Sequence, residues 1–285
     1  MSAVILDGKA LAASIREDLS QKVQTLIEET GVKPTLAVIV AGDDPASAVY
    51  VRNKERACIG AGMGSIVDRL PQDVTQEELE ALVRRYNEDD SIHGILVQLP
   101  LPKHLDESRV LELIDPKKDV DGFHAVNMGA LLSGMEGFVP CTPKGVMRLI
   151  ESAGIDLSGK NAVIVGRSNI VGKPAALLLL QKNATVTVCH SKTEDLSSFT
   201  KNADVLVAAV GRPNMITGDM VKPGAVVIDV GINRTESGLV GDVDFASASE
   251  VAGYITPVPG GVGPMTIAML LENTYIGAKN SCAKA

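Results

Sequence analysis

The sequence predicts an α/β protein of two domains, each built on parallel strands joined by crossover helices. Two observations carry this. Short β-branched runs alternate with amphipathic stretches up to residue 102, and the same order restarts at residue 161. In the second series, the first strand and its helix are joined by a glycine-bearing turn, as in dinucleotide-binding units.

The elements follow in order. Leu11, Ile15, Leu19, Val23 and Ile27 recur every four residues and mark one face of a helix. Residues 35–41 (TLAVIVA) read as a buried strand. A second helix follows Asp44-Pro45 and runs to about Gly60. Leu79, Leu82 and Val83 give residues 75–87 helical spacing, and 92–99 (IHGILVQL) is the next strand, stopped by Pro100-Leu101-Pro102. In the second series 161–166 (NAVIVG) is a strand. Residues 173–182 form an apolar helix with Pro174 in its first turn. Strands at 185–189, 205–210 and 226–230 complete a Rossmann-type unit. The polar, glycine-containing stretch between Asp115 and Pro140 is the expected boundary, and 266–276 reads as a final helix packing back on the first domain.

The 285 residues carry a net charge of -8, which disfavours broad binding to nucleic acid or anionic membranes. Cys58, Cys141, Cys189 and Cys282 form no CxxC pair, and with the histidines no zinc-type spacing; reduced thiols and no bound metal are expected. No HExxH and no nucleophile elbow occurs, so zinc and serine-triad hydrolases are unsupported. Asp7 and Lys9 interrupt the N-terminal apolar stretch, and 175–180 is too short to span a bilayer; the cytoplasm is the expected compartment.

Residues 166–174 (GRSNIVGKP) lie where a dinucleotide fold presents backbone N–H groups and a helix N-terminus to a pyrophosphate. The spacing is not GxGxxG: Ser168 stands second and Val171 third. The next strand ends Cys189-His190-Ser191-Lys192-Thr193, without the carboxylate that holds a ribose 2′-hydroxyl. Arg167, Ser191 and Lys192 suit a 2′-phosphate, so the cofactor predicted is NADP. The competing reading makes Lys192 a solvated loop charge and pairs Arg167 with an acid. Glycines at the strand exits 210–213 (VGRP) and 230–234 (VGINR) suit close backbone approach or plain turns.

Tyr50 and Lys54 share a helix face. Gln98 ends an apolar strand, where its amide must find partners. Asp119-Val120-Asp121-Gly122 places two carboxylates in a turn that Asp-Gly also favours for local reasons. The loop 257–264 (PVPGGVGP) suits close approach to a flat ligand or a tight connection.

Together these segments, with 50–54 (YVRNK), 94–102 (GILVQLPLP), 118–123 (KDVDGF), 140–143 (PCTP), 227–234 (VIDVGINR) and 257–266, resemble the bifunctional methylenetetrahydrofolate dehydrogenase/cyclohydrolase family over nearly the whole chain. The resemblance implies a folate domain at residues 1–121, carrying a C-terminal helix 268–285. It implies an NADP-binding Rossmann domain at 122–267, a cleft between the two, and a homodimer. It makes Lys54 the catalytic lysine, held and tuned by Gln98. Tyr50 would stack on the folate and Asp121 would bind the pterin's amino edge. Pro100, Pro259, Gly260 and Gly261 would add substrate contacts. Gly166, Arg167, Ser168 and Ser191 would hold the cofactor, with Ile232 near the nicotinamide. Where members often read Tyr-x-x-x-Lys-x-Lys, Arg56 stands as the second cation. Two rivals remain at this point: another NADP oxidoreductase, such as one acting on a small hydroxy acid, and a non-enzymatic NADP(H) sensor.

Overall fold

The computed structural model describes residues 2–236 and 238–282, with the side chains of 45–47 left aside. The chain divides into two compact units, residues 14–141 with 267 onward, and residues 1–13 with 142–266. The division falls inside the first helix, α1 (Gly8–Thr30), and the last, α10 (Val262–Cys282).

The first unit holds a parallel three-stranded sheet, with β2 (Thr35–Ala41) between β3 (Gly64–Leu70) and β4 (Gly94–Val97). Central β2 is buried from Leu36 onward, as its continuous apolar run requires. Edge strand β3 reads GSIVDRL and is half-exposed; its mixed polarity is why no strand is predicted there. Helix α2 (Pro45–Gly60) joins β2 to β3, and α3 (Gln76–Glu88) joins β3 to β4. A capping box starts α3: the Glu78 N–H donates to Thr75 Oγ1, and the Thr75 N–H donates to Glu78 Oε2. At its far end Lys118 Nζ donates to the carbonyls of Tyr86, Asn87 and Asp89, satisfying acceptors a helix C-terminus leaves open. Ile39, Leu79, Val83, Ile92, Ile95 and Val110 of α4 (Glu107–Leu113) meet in this unit's core.

The stretch between Asp115 and Pro140 is not a bare linker. It contains α5 (Ala125–Ser133), whose buried Asn127 donates to Pro116 O and Asp119 Oδ2. Farther on, Asn273 of α10 donates to the carbonyls of Val120 and Val139. A Cβ at Gly277 would stand 2.4 Å from the His93 carbonyl, so only glycine lets α10 come this close to the sheet.

The second unit is a parallel six-stranded sheet in the order β1-β11-β8-β7-β5-β6. Its strands are β1 (Val4–Ile5), β5 (Asn161–Val165), β6 (Thr185–Cys189), β7 (Val205–Ala208), β8 (Val226–Asp229) and β11 (Tyr254–Ile255). Helices α6 (Cys141–Ser152), α7 (Gly172–Gln181), α8 (Leu196–Thr200) and α9 (Phe245–Ser249) connect them, with a hairpin of β9 (Asn233–Thr235) and β10 (Gly238–Val240). The chain leaves β5 for β6 on one side and returns to β7 on the other. That reversal is the switch point at which open α/β sheets bind ligands beyond the strand C-termini.

The unit boundaries differ from the expected break at 121/122. Residues 1–13 cluster with the six-stranded sheet because β1 pairs with β11, Val4 beside Tyr254 and Ile5 beside Ile255. Two-residue strands leave no periodic trace in a sequence. Residues 122–141 cluster with the three-stranded sheet.

Candidate active site

Helix α2 carries Tyr50, Lys54 and Cys58 at four-residue spacing, hence on one face. Exposure falls along it: Tyr50 is 41% exposed, Lys54 9% and Cys58 fully buried. Lys54 therefore departs from the solvated lysine that helix position alone suggests. Its Nζ donates to Gln98 Oε1 at 3.0 Å. Gln98 directly follows β4, and its N–H donates to the Ile39 carbonyl, so the sheet fixes its place. Its Nε2 donates to the Leu99 carbonyl at 2.7 Å. A carbonyl only accepts, so this bond turns the amide oxygen towards the lysine. Among the described residues Lys54 makes no ion pair. Burial pushes the Cys58 thiol up to about 12, with Lys54 opposing, so this neighbour is a protonated, inert sulfur.

The two carboxylates of residues 119–121 do different work. Asp119 is buried; its oxygens accept from the N–H groups of Gly122, Phe123 and His124 and from Asn127. It builds the turn. Asp121 is half-buried, with the Cys141 thiol as a hydrogen-bond partner. Burial holds its carboxyl above the ordinary range; the Lys54 charge opposes the shift and Asp119 adds to it. Tyr50, Lys54, Gln98, exposed Pro100 and Asp121 all belong to the three-stranded unit.

Pro259, Gly260 and Gly261 belong to the six-stranded unit. Their glycines have a local cause: a Cβ at Gly261 would lie 2.7 Å from the Pro257 carbonyl oxygen, and Gly260 has φ +109°. In the same unit a Cβ at Gly263 would come 3.7 Å from Ile232, itself 47% exposed beyond β8.

At the switch point the turn after β5 abuts the turn after β7, since a Cβ at Gly166 would lie 2.1 Å from the Ala209 carbonyl. Ser168 Oγ accepts from the N–H groups of Val171 and Gly172 at the start of α7, which leaves its O–H to donate outward. Arg167, Ser191 and Lys192 are exposed, and among the described residues neither cation forms an ion pair. No carboxylate ends β6. Open cations, a spare hydroxyl and the missing acid fit a 2′-phosphorylated dinucleotide.

Sequence reasoning missed two buried carboxylates in the six-stranded unit. Asp229, 3% exposed, ends β8; it accepts from the N–H groups of Gly231, Asp242 and Val243, each at 2.9 Å. Asp242, fully buried, accepts from Val210, Gly211 and Arg212 N–H and from Asn233 Nδ2. The available signal was an aspartate closing an apolar strand: a polar group there must find partners. Burial pushes Asp229 up to about 6, against its three N–H donors and with the aid of Asp242.

Fold and site define a dinucleotide-dependent α/β enzyme with a buried lysine bonded to a glutamine in one unit and an open cofactor edge in the other. The chain belongs to the tetrahydrofolate dehydrogenase/cyclohydrolase family: the family's catalytic domain matches residues 6–121 and its NAD(P)-binding domain residues 140–282. It is 60% identical over 275 residues to the bifunctional protein FolD of Streptococcus pneumoniae, with 96% of each chain covered. The crystal structure of FolD methylenetetrahydrofolate dehydrogenase/cyclohydrolase from Campylobacter jejuni is 56% identical; the match has a TM-score of 0.96 and covers 98% of this chain and 99% of that one. The Trypanosoma brucei methylenetetrahydrofolate dehydrogenase-cyclohydrolase, complexed with NADP cofactor and inhibitor, is 42% identical with a TM-score of 0.95 and covers 100% of both chains.

Proposed function

We propose that the chain carries out both reactions named for its family. It oxidises 5,10-methylenetetrahydrofolate to the 5,10-methenyl form with NADP+, and hydrolyses that form to 10-formyltetrahydrofolate. The observation that carries the reading is the buried Lys54 donating to an oriented Gln98. The methenyl substrate is already a cation, so its carbon needs a placed water and a proton carrier. As water adds to that carbon, the proton it loses passes by way of Lys54 Nζ to the nitrogen that departs as the ring opens. Gln98 holds the lysine nitrogen for that transfer, its oxygen accepting from Nζ.

Tyr50 supplies a ring face for the folate, Asp121 accepts from the pterin's amino edge, and Pro100 adds apolar contact. Arg167, Ser191 and Lys192 hold the 2′-phosphate, Gly166 and Ser168 the pyrophosphate, and Ile232 packs near the nicotinamide. NADP+, when bound, accepts hydride from the bridging methylene carbon. We assign the chain to the cytoplasm as a homodimer; among the described residues no helix is long and apolar enough to cross a membrane. The test is NADPH absorbance with methylenetetrahydrofolate, run beside NAD+. Growth with NADP+, and little with NAD+, is expected; no folate-dependent reduction of either cofactor contradicts the reading.

A further inference from the structure

Strands β7 and β8 lie side by side and in register, Ala208 beside Asp229, so both end at the same edge of the sheet. The turns that follow both open Val-Gly and then diverge, and one side chain joins them. Asp242 Oδ2 accepts from Val210 N–H at 2.6 Å and Gly211 N–H at 3.0 Å, and its Oδ1 accepts from Arg212 N–H at 2.9 Å and Asn233 Nδ2 at 2.9 Å. Three successive amides of the turn after β7 and a side chain of the turn after β8 thus converge on one carboxylate. Asp229 fixes that carboxylate in turn, accepting from the backbone N–H of Asp242 itself.

The neighbouring glycines are shaped to the acids. A Cβ at Gly231 would lie 2.3 Å from the Asp242 carboxyl carbon, and one at Gly241 would lie 1.8 Å from Asp229 Oδ2. Among the described residues neither aspartate has a cation against it; N–H groups alone hold two buried carboxylates. That is a costly way to close a turn, since burying charge loses more than apolar packing would. What it gains is geometry: four donors at about hydrogen-bond distance fix both loops in direction as well as position.

We propose that Asp242 is a positioning residue for the cofactor. It locks the turns 210–212 and 230–233 into one arrangement that receives the nicotinamide half of NADP. This rests on the reading that NADP binds at this sheet edge. Gly211 supports the placement: at φ +66° a Cβ there would meet nothing within 4 Å, so the turn's backbone lies open, as does Ile232. The adenine end falls to other residues, Arg167, Ser168 and Ser191, which Asp242 does not touch.

The experiment measures binding by titration calorimetry on the full chain, with NADP+ and with 2′-phospho-ADP, which lacks the nicotinamide riboside. In Asp242→Asn the carboxamide nitrogen replaces one acceptor and faces N–H groups. The expected result is a loss of NADP+ affinity of about tenfold or more, with 2′-phospho-ADP affinity held within about twofold. A purely structural role would lower the unfolding temperature without separating the two ligands. Asn233→Ala removes a single donor and should weaken NADP+ by about threefold with the same selectivity, which decides the matter should Asp242→Asn fail to fold. Both ligands weakened equally, or neither weakened, overturns the inference. Failure of the wild type to bind 2′-phospho-ADP would instead overturn the cofactor reading itself.

Discussion

Asp121 is held above the ordinary carboxylate range by burial, and it must be ionised to accept well from an amino group. The sign follows: as pH falls through this raised value, folate binding weakens, and it does so at higher pH than for a solvated aspartate. In Asp121→Asn that acid limb should vanish while KM for folate rises at all pH. A wild-type KM flat across the acid range contradicts the role. How far the residue scale is legible in sequence depends on what each residue needs. Tyr50 and Lys54 share a face by spacing alone, and Gln98 announces itself as an amide closing an apolar strand. The burial of Lys54 is not legible, because it arises where β4 brings Gln98 beside α2, a contact 44 residues apart. Nor does sequence separate Asp119, which binds its own turn, from Asp121, which does not.

At the scale of elements, the β5–α7 turn and the end of β6 carry Arg167, Ser191 and Lys192, and among the described residues no carboxylate pairs with either cation. Arg167→Ala should cost NADP+ binding roughly ten- to hundredfold, the worth of a charge-assisted contact to phosphate, and NAD+ binding far less. Equal affinity of the wild type for both cofactors would sink the assignment. The end of β8 sets a different test. Asp229 rises from 3.8 to about 6 in the folded chain. A raised carboxyl favours the folded state fully only below its unfolded value, and that advantage is lost as pH climbs through the folded one. Asp229→Asn removes the titration. The wild-type stability minus that of the variant should therefore shrink between about pH 4 and pH 7, by on the order of 3 kcal/mol. Denaturant unfolding at several pH values measures it, and a constant difference contradicts it. Elements with a clear local signal are legible: α1, β2 and β6 lie where their apolar runs put them, and α2 where Asp44-Pro45 starts it. β1, β3 and β11 were not, since two of them have two residues and β3 mixes charge into its run.

At the scale of the whole molecule, the two-domain α/β plan is readable because the strand–helix order restarts. The path of the ends is not, since β1 joins the six-stranded sheet through pairing with β11, far along the chain. We expect a homodimer, seen in analytical ultracentrifugation as a species of twice the chain mass; a monomer at every concentration contradicts it. We expect the two reactions to draw on different units: hydrolysis on Lys54, and cofactor binding on the six-stranded sheet edge. The most direct test follows methenyltetrahydrofolate consumption and NADPH formation separately in one folded Lys54→Met protein. Hydrolysis should fall by roughly a hundredfold or more, the worth of positioned acid–base help, while NADPH formation persists in part. Undiminished methenyl hydrolysis in that variant would contradict it.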